Sequence, residues 1–257
     1  MASQKDKEQN YEIWKTADLS KIYLEGVRGA IPLAVEQIDI LLRVIQLTQT
    51  NVEKFLDLGC GNGILGKSIF QQYPTAKGFF IDISEAMLQA AKNNLASEQE
   101  KSRFLLQDFG KKEWVDSVIQ GSPFDLIVSG FAIHHLPDKR KKELYKEIYQ
   151  LLKPGGVFLN LEHVASHSKL GEEAFDRLFV DALYSFHRQQ SSKESREEIA
   201  KQYYSRSDKN ANILALVESQ CEWLREIGFV DVDCFMKVFE IALFGGVKQT
   251  FSVTSDQ

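Results

Sequence analysis

At 257 residues, with 44% hydrophobic and 26% charged side chains and only 5 prolines, the chain reads as one globular domain; disordered, collagen-like and disulfide-dense classes are excluded. Thirty-one Lys and Arg against 36 Asp and Glu give a formal net charge of −5, which does not favour nucleic-acid binding driven by counterion release. The polar start MASQKDKEQN, the absence of any apolar run of roughly 18 residues, and three cysteines (Cys60, Cys221, Cys234) without pairing or ligand spacing predict a cytoplasmic protein with no membrane span, no disulfide and no metal site.

Residues 1–50 read as an N-terminal helical cap: from Pro32 to Gln46, the residues Leu33, Ile38, Leu41, Leu42 and Ile45 mark one apolar stripe. Short apolar runs alternating with helical stretches follow, the pattern of βαβ units and a parallel sheet. Five strands are predicted, Lys54 to Leu58, Gly78 to Ile81, Arg103 to Leu106, Phe124 to Ser129 and Val157 to Leu161. The helices between them, Ile64 to Gln72, Glu85 to Leu95 and Lys139 to Leu152, are punctuated by Pro74, a Ser84 cap, Pro137 and Pro154-Gly155-Gly156. Ser166 to Arg206 breaks the alternation as a charged helical insertion, with Phe175, Leu178, Phe179, Ala182, Leu183 and Phe186 on one face. A helix from about Ile213 to Ile227, closed by Gly228, precedes strands at Val230 to Met236 and about Phe239 to Val247, which should pair as an antiparallel hairpin. The reading is one domain over 1–257: the cap, a ligand-binding core at 51–165, a lid-like insertion at 166–206, and the last helix and strand pair at 207–257.

LDLGCGNG, Leu56 to Gly63, leaves the first strand and opens the next helix. Gly59, Gly61 and Gly63 permit positive φ and close approach of a ligand to main-chain N–H groups at a helix N-terminus. Asp82, ending the second strand, can accept both hydroxyls of a ribose. A literal GxGxxG (Gly61, Gly63, Gly66) suggests a dinucleotide, but Asp57 would set a carboxylate where a diphosphate should lie. A ligand with a positive amino group, such as the methionine part of S-adenosylmethionine (SAM), suits that carboxylate better.

Over roughly Val52 to Leu161, and again in the terminal hairpin, the chain resembles the class I SAM-dependent methyltransferases. LDLGCGNG matches their glycine loop, FFIDIS the acidic ribose motif, LLQDF the adenine-edge motif, FDLIVSGFAIHHLPD the fourth-strand motif, and LLKPGGVFL the turn before strand five. The resemblance implies a doubly wound α/β fold, a seven-stranded sheet in the order 3-2-1-4-5-7-6 with strand 7 antiparallel. It implies Asp57, Gly59 and Gly61 on the methionine side, with Gly63 completing the loop, Asp82 on ribose, and Ile83 on the adenine face. Asp108 and Phe109 follow at the adenine edge, and Gly130 beside the reacting methyl. The expected activity is in-line methyl transfer to a small-molecule acceptor, yielding S-adenosylhomocysteine, by a monomer or homodimer.

His135 (after His134) and Glu162 are the candidate proton acceptors, because both follow strands that end at the cleft. His163 faces the same side. Tyr11, Trp14 and Arg28 in the cap, and Tyr203, Tyr204 and Arg206 in the insertion, are candidate lid and substrate contacts. Lys139-Arg140-Lys141-Lys142 reads as a solvated face. Two alternatives remain. The insertion and the ending CFMKVFEIALFGGVK resemble carboxy-SAM synthases of tRNA wobble modification, in which case Arg206 would anchor a carboxylate; or the chain is a non-catalytic SAM-binding subunit.

Overall fold

The computed structural model describes residues 30–206 and 211–250. Alternating short β-rich runs and amphipathic segments give strands β1 (Lys54–Leu58), β2 (Lys77–Asp82), β3 (Ser102–Leu106), β4 (Phe124–Gly130), β5 (Leu152–His163), β6 (Phe229–Val238) and β7 (Ile241–Lys248). They form one sheet in the order β3-β2-β1-β4-β5-β7-β6. Pairing is parallel throughout except that β7 runs antiparallel to both β5 and β6. β4 at the centre is buried along its length up to Ser129, as expected of a strand covered on both faces.

The helices are α1 (Ala34–Thr48), α2 (Ile64–Gln72), α3 (Glu85–Asn94), α4 (Trp114–Val118), α5 (Asp138–Leu151), α6 (Lys169–Gln189), α7 (Arg196–Ser205) and α8 (Val217–Ile227). Two apolar clusters flank the sheet. One joins Leu41 and Ile45 of α1, Leu65 and Ile69 of α2, and Leu88 and Ala91 of α3 to the Phe55 and Phe80 rings. The other gathers Trp114, Leu144, Tyr145, Ile148, Cys221 and Leu224 against Phe124, Phe158 and Phe244. Among the described residues no helix is long and apolar enough to cross a membrane.

Three elements depart from the sequence reading. The last helix starts at Val217 rather than Ile213, because the Ile213 N–H donates to the His134 carbonyl and the Ala215 carbonyl accepts from Ala165 N. Main-chain groups committed to those partners cannot also close helical turns. Pro154-Gly155-Gly156 does not separate helix from strand: α5 runs directly into β5, and the register against β4 shifts between Phe124 and Leu126, with Gly155 at φ 78°. The five-residue α4 carries too short a pattern to be read from sequence.

Gly66, the last glycine of the GxGxxG string, is buried in α2, and a methyl group there would run into the rings of Phe80 and Phe55. Its requirement is close helix–strand packing rather than ligand approach. Gly66→Ala should therefore destabilise the fold by about 1–3 kcal/mol, the usual cost of overpacking a core, read from urea unfolding.

Candidate functional site

β1 has β2 on one side and β4 on the other, so the loops after β1 and β4 leave in opposite directions and a crevice opens at the carboxyl ends of the strands. Gly59, Gly61, Asp82, Ile83, Ser84, Met87, Asp108, Phe109, Gly130, Phe131, Ala132, His135 and Leu136 line it, around about 720 Å³ of space that is partly open solvent.

The glycine loop enters the crevice with Gly59 at φ 70° and Gly61 at φ 53°. A Cβ on Gly61 would meet nothing within 4 Å, so the bare backbone borders open space and can be approached closely by a ligand. The loop is tied to β2 by Asp82, whose Oδ2 accepts from Gly61 N at 2.8 Å and whose Oδ1 accepts from Ser84 N at 2.9 Å. Burial pushes the Asp82 carboxyl up to about 6 against the opposing effect of these main-chain donors. On the far wall, Phe131 adopts φ 54°, with its N–H donating to Leu161 O at 2.8 Å. A left-handed phenylalanine is strained backbone held by its surroundings.

Next to Phe131, a 3-10 turn over Ile133–His135 sits on a buried polar cluster. Glu162 accepts from His134 N at 3.0 Å and from His163 N at 2.9 Å, and its Oε1 lies 2.5 Å from His134 Nδ1. The His134 and His135 rings are 3.9 Å apart between centroids. His163 Nε2 is 2.8 Å from Glu240 Oε2 in the hairpin turn, and its ring packs on Phe175 of α6. His135 Nδ1 is 3.4 Å from Ala211 O; a carbonyl only accepts, so this contact favours the tautomer with hydrogen on Nδ1 and the lone pair on Nε2. Burial holds His135 well below its ordinary pKa, and the neighbouring His134 adds to this. Burial pushes Glu162 up. Among the described residues no group of three or more His, Cys, Asp or Glu side chains is placed to hold a metal ion.

The structure thus brings Gly59, Gly61, Asp82, Ile83, Asp108, Phe109, Gly130 and His135 to one cleft. Others expected there lie elsewhere. Asp57 is buried behind the loop, with Oδ2 accepting from Gly66 N at 3.1 Å; it fixes the start of α2 rather than lining the cleft. Gly63, at φ 78°, begins α2 and packs against Leu95 and Ala91. Glu162 does not line the cleft because its oxygens are turned to His134 and His163, and His163 faces Glu240. Tyr203 is buried between α6 and α7, where its hydroxyl donates to Asp176 at 2.7 Å and its ring stacks on Phe179. Arg206 lies 4.0 Å over the Tyr203 ring, and Tyr204 is half exposed; none of the three lines the cleft. Tyr11, Trp14 and Arg28 fall outside the described residues.

The basic run at 139–142 is not one solvated face. Lys139 and Lys142 are exposed, whereas Arg140 and Lys141 are buried. Lys141 Nζ donates to Asp138 Oδ1 and to Ile213 O. Their positions follow from helical period: Arg140 is on the stripe of Leu144 and Leu151, and Lys141 on that of Tyr145 and Ile148. The cleft residues that the sequence did not single out, Ser84, Met87, Phe131, Ala132 and Leu136, carry no signal beyond adjacency to motif residues.

Comparison with known proteins agrees with this geometry. Residues 55–156 match a family described as "Methyltransferase domain". The chain is 22% identical over 231 residues, covering 90% of this chain and 92% of the relative, to a carboxy-S-adenosyl-L-methionine synthase of Nautilia profundicola. It is 32% identical over 147 residues to the ribosomal RNA large subunit methyltransferase G of a Shewanella strain, of which the match covers 38%. A Burkholderia thailandensis O-methyltransferase family protein superposes with a TM-score of 0.64 at 12% identity, covering 95% of this chain and 64% of that one. The chain thus spans about two fifths of that ribosomal RNA enzyme and under two thirds of that solved structure.

Burial of His135 makes fold stability depend on pH. The unfolded imidazole takes a proton near pH 6.5, and the folded one takes it only at lower pH. Stability from this group is therefore present above about 6.5 and is lost as pH falls, by up to about 1.4 kcal/mol per pH unit. His135→Asn should show a flatter decline than the parent between pH 6.5 and 5 in urea unfolding; parallel curves would contradict the assigned burial effect.

Proposed function

Because the chain belongs to the class I SAM-dependent methyltransferase superfamily, we propose that it transfers the methyl group of SAM to a small-molecule acceptor. The observation that carries this is the crevice between β1 and β4, where Asp82, Asp108 and His135 meet around an apolar wall.

The residues fit the cofactor. Each Asp82 oxygen holds one main-chain N–H and retains capacity to accept a ribose hydroxyl. Gly61 offers backbone without a side chain in the way. Asp108 suits the adenine amino group, and Ile83 and Phe109 supply apolar faces for the base. Bound SAM supplies a methyl group already activated on a sulfonium sulfur, so the protein must align the acceptor, exclude water and manage one proton. Phe131, Ala132 and Leu136 form the water-excluding end, beside Gly130. His135, uncharged and with its lone pair on Nε2, is the proton acceptor in this reading. A ring so reluctant to protonate is a weak base, matched to an acidic O–H or N–H rather than an aliphatic alcohol. Glu162 acts through structure, holding the turn that presents His135. The insertion α6–α7 serves as the lid, joined through Phe175 to His163 and so to the buried polar cluster behind the cleft wall.

Likeness to a carboxy-SAM synthase over nearly its whole length favours a second reading, carboxy-SAM formation. That product carries an added carboxylate, and among the described cleft residues there is no Lys or Arg to receive it. The cofactor that co-purifies separates the two: SAM or S-adenosylhomocysteine supports methyl transfer, and a species heavier than SAM by one carbon dioxide supports the alternative.

S-adenosylhomocysteine should bind in calorimetry and NAD should not; tight NAD binding alone overturns the assignment. In the ligand-free protein Asp82 takes a proton below about pH 6, whereas a carboxylate accepting two hydroxyls must stay ionised. Binding at lower pH therefore expels a proton, and affinity should fall as pH drops through 6, approaching tenfold per unit. Asp82→Asn should weaken binding by about 1.5–3 kcal/mol and abolish that pH dependence.

His135→Asn should lower turnover on the true acceptor by ~10²–10⁴-fold with S-adenosylhomocysteine affinity unchanged. A loss of affinity instead would assign His135 to the cofactor pocket's architecture.

A further inference from the structure

Arg140 is a buried cation beside the cleft that is hydrogen-bonded on both edges of its guanidinium and that the proposed reaction does not use. From α5, its guanidinium reaches the loop that follows β3. Nε donates to the carbonyls of Phe109 and Gly110, both at 3.1 Å, and Nη2 donates to Phe109 O at 2.7 Å and Lys111 O at 3.3 Å. Three successive carbonyls converge on one cation. On its other edge the guanidinium grips Glu147 in a two-pronged pair, Nη1 to Oε1 and Nη2 to Oε2, each 2.7 Å. Glu147 Oε2 also accepts from Trp114 Nε1 at 2.7 Å, and Trp114 is buried in the core. The fork is thus anchored through Glu147 to the helix and through Trp114 to α4.

Converging carbonyl dipoles repel one another, and this loop takes that shape only with a buried donor at its focus. The same loop carries Asp108 and Phe109 into the cleft, and Asp108 Oδ1 accepts from Gly110 N at 2.9 Å, so the carboxylate's aim follows the turn that Arg140 shapes. We infer that Arg140 is a positioning residue for base recognition: clamped by Glu147, it sets the Phe109–Lys111 turn so that Asp108 can read an exocyclic amino group on the bound nucleoside. This rests on the proposed cofactor reading, and it adds selectivity for a 6-amino over a 6-oxo purine to a residue that never touches the ligand.

The test is the ratio of affinities for S-adenosylhomocysteine and S-inosylhomocysteine, in which oxygen replaces the amino group, measured by calorimetry on the full chain. The parent should prefer the adenine ligand by about tenfold or more, the worth of a hydrogen bond to a charged group. Arg140→Gln should bring that preference close to unity and weaken S-adenosylhomocysteine binding, and Arg140→Lys should restore part of it. Glu147→Gln, which leaves the guanidinium in place with a looser anchor, should reduce the preference less; it decides the matter if Arg140→Gln does not fold. A lowered melting temperature with an unchanged ratio in these variants makes Arg140 a stabilising residue only and overturns the inference, as does a parent that binds both ligands equally. A parent that binds neither ligand is a different result, the failure of the cofactor reading itself.

Discussion

The reversal of strand order at β1 governs what the rest of the molecule does. A parallel strand returns to its sheet through a right-handed crossover, so the chain must cover one face with α1–α3 and the other with α4, α5 and α8, as the two apolar clusters record. Where the winding changes direction, no helix caps the strand ends, and main-chain N–H groups, strand-terminal carboxylates and the turn after β4 converge on the gap. Gly59 and Gly61 at positive φ, Asp82 at the end of β2 and Phe131 in its strained conformation are consequences of building walls around that gap rather than separate inventions.

Electrostatics divide the cleft into two halves. The half at the ends of β2 and β3 is acidic, with Asp82 and Asp108 on its walls, and Asp82 sits between the desolvation that favours its neutral form and the main-chain donors that favour its charge. The half beyond Gly130 is apolar among the described residues, and His135 on its wall is held uncharged by burial. Beneath it, Glu162 satisfies two main-chain N–H groups and one imidazole. A buried carboxylate earns little net stability from such contacts, yet removing one partner strands the others. The arrangement fixes a turn rather than strengthening the fold.

The same logic extends outward from the cleft. Lys141 on α5 and His134 in the turn each bond Ile213, and His135 faces Ala211. Residues 211–216, just ahead of α8, therefore lie as a strap across the back of the turn. His163, between Glu240 and Phe175, makes a second connection from the hairpin to α6.

Local signals in the sequence carried the elements that follow short-range rules. Ile64–Gln72 and Lys54–Leu58 coincide with α2 and β1 because periodicity and punctuation act within a few residues. Gly59, Gly61 and Asp82 were legible as cleft residues because their spacing along a βαβ chain fixes which strand ends they occupy, Asp108 and Gly130 were placed there only by the family resemblance, and the hairpin of β6 and β7 followed from a connection too short for anything else. Other assignments depended on which way a side chain turns. Asp57 and Glu162 sit where a cleft residue should, but neighbouring N–H groups, from Gly66 and from His134 and His163, capture their carboxylates. Arg140 looked solvated within a run of four charges, and Tyr203 and Arg206 looked like substrate contacts. Only packing determined that Arg140 meets three carbonyls of a loop 30 residues away, and that Tyr203 finds Asp176 on α6. Sequence specifies which residues share a strand end or a helix face; the partner each polar group takes is settled by long-range contacts, because a buried donor or acceptor must be satisfied by whatever the fold brings beside it.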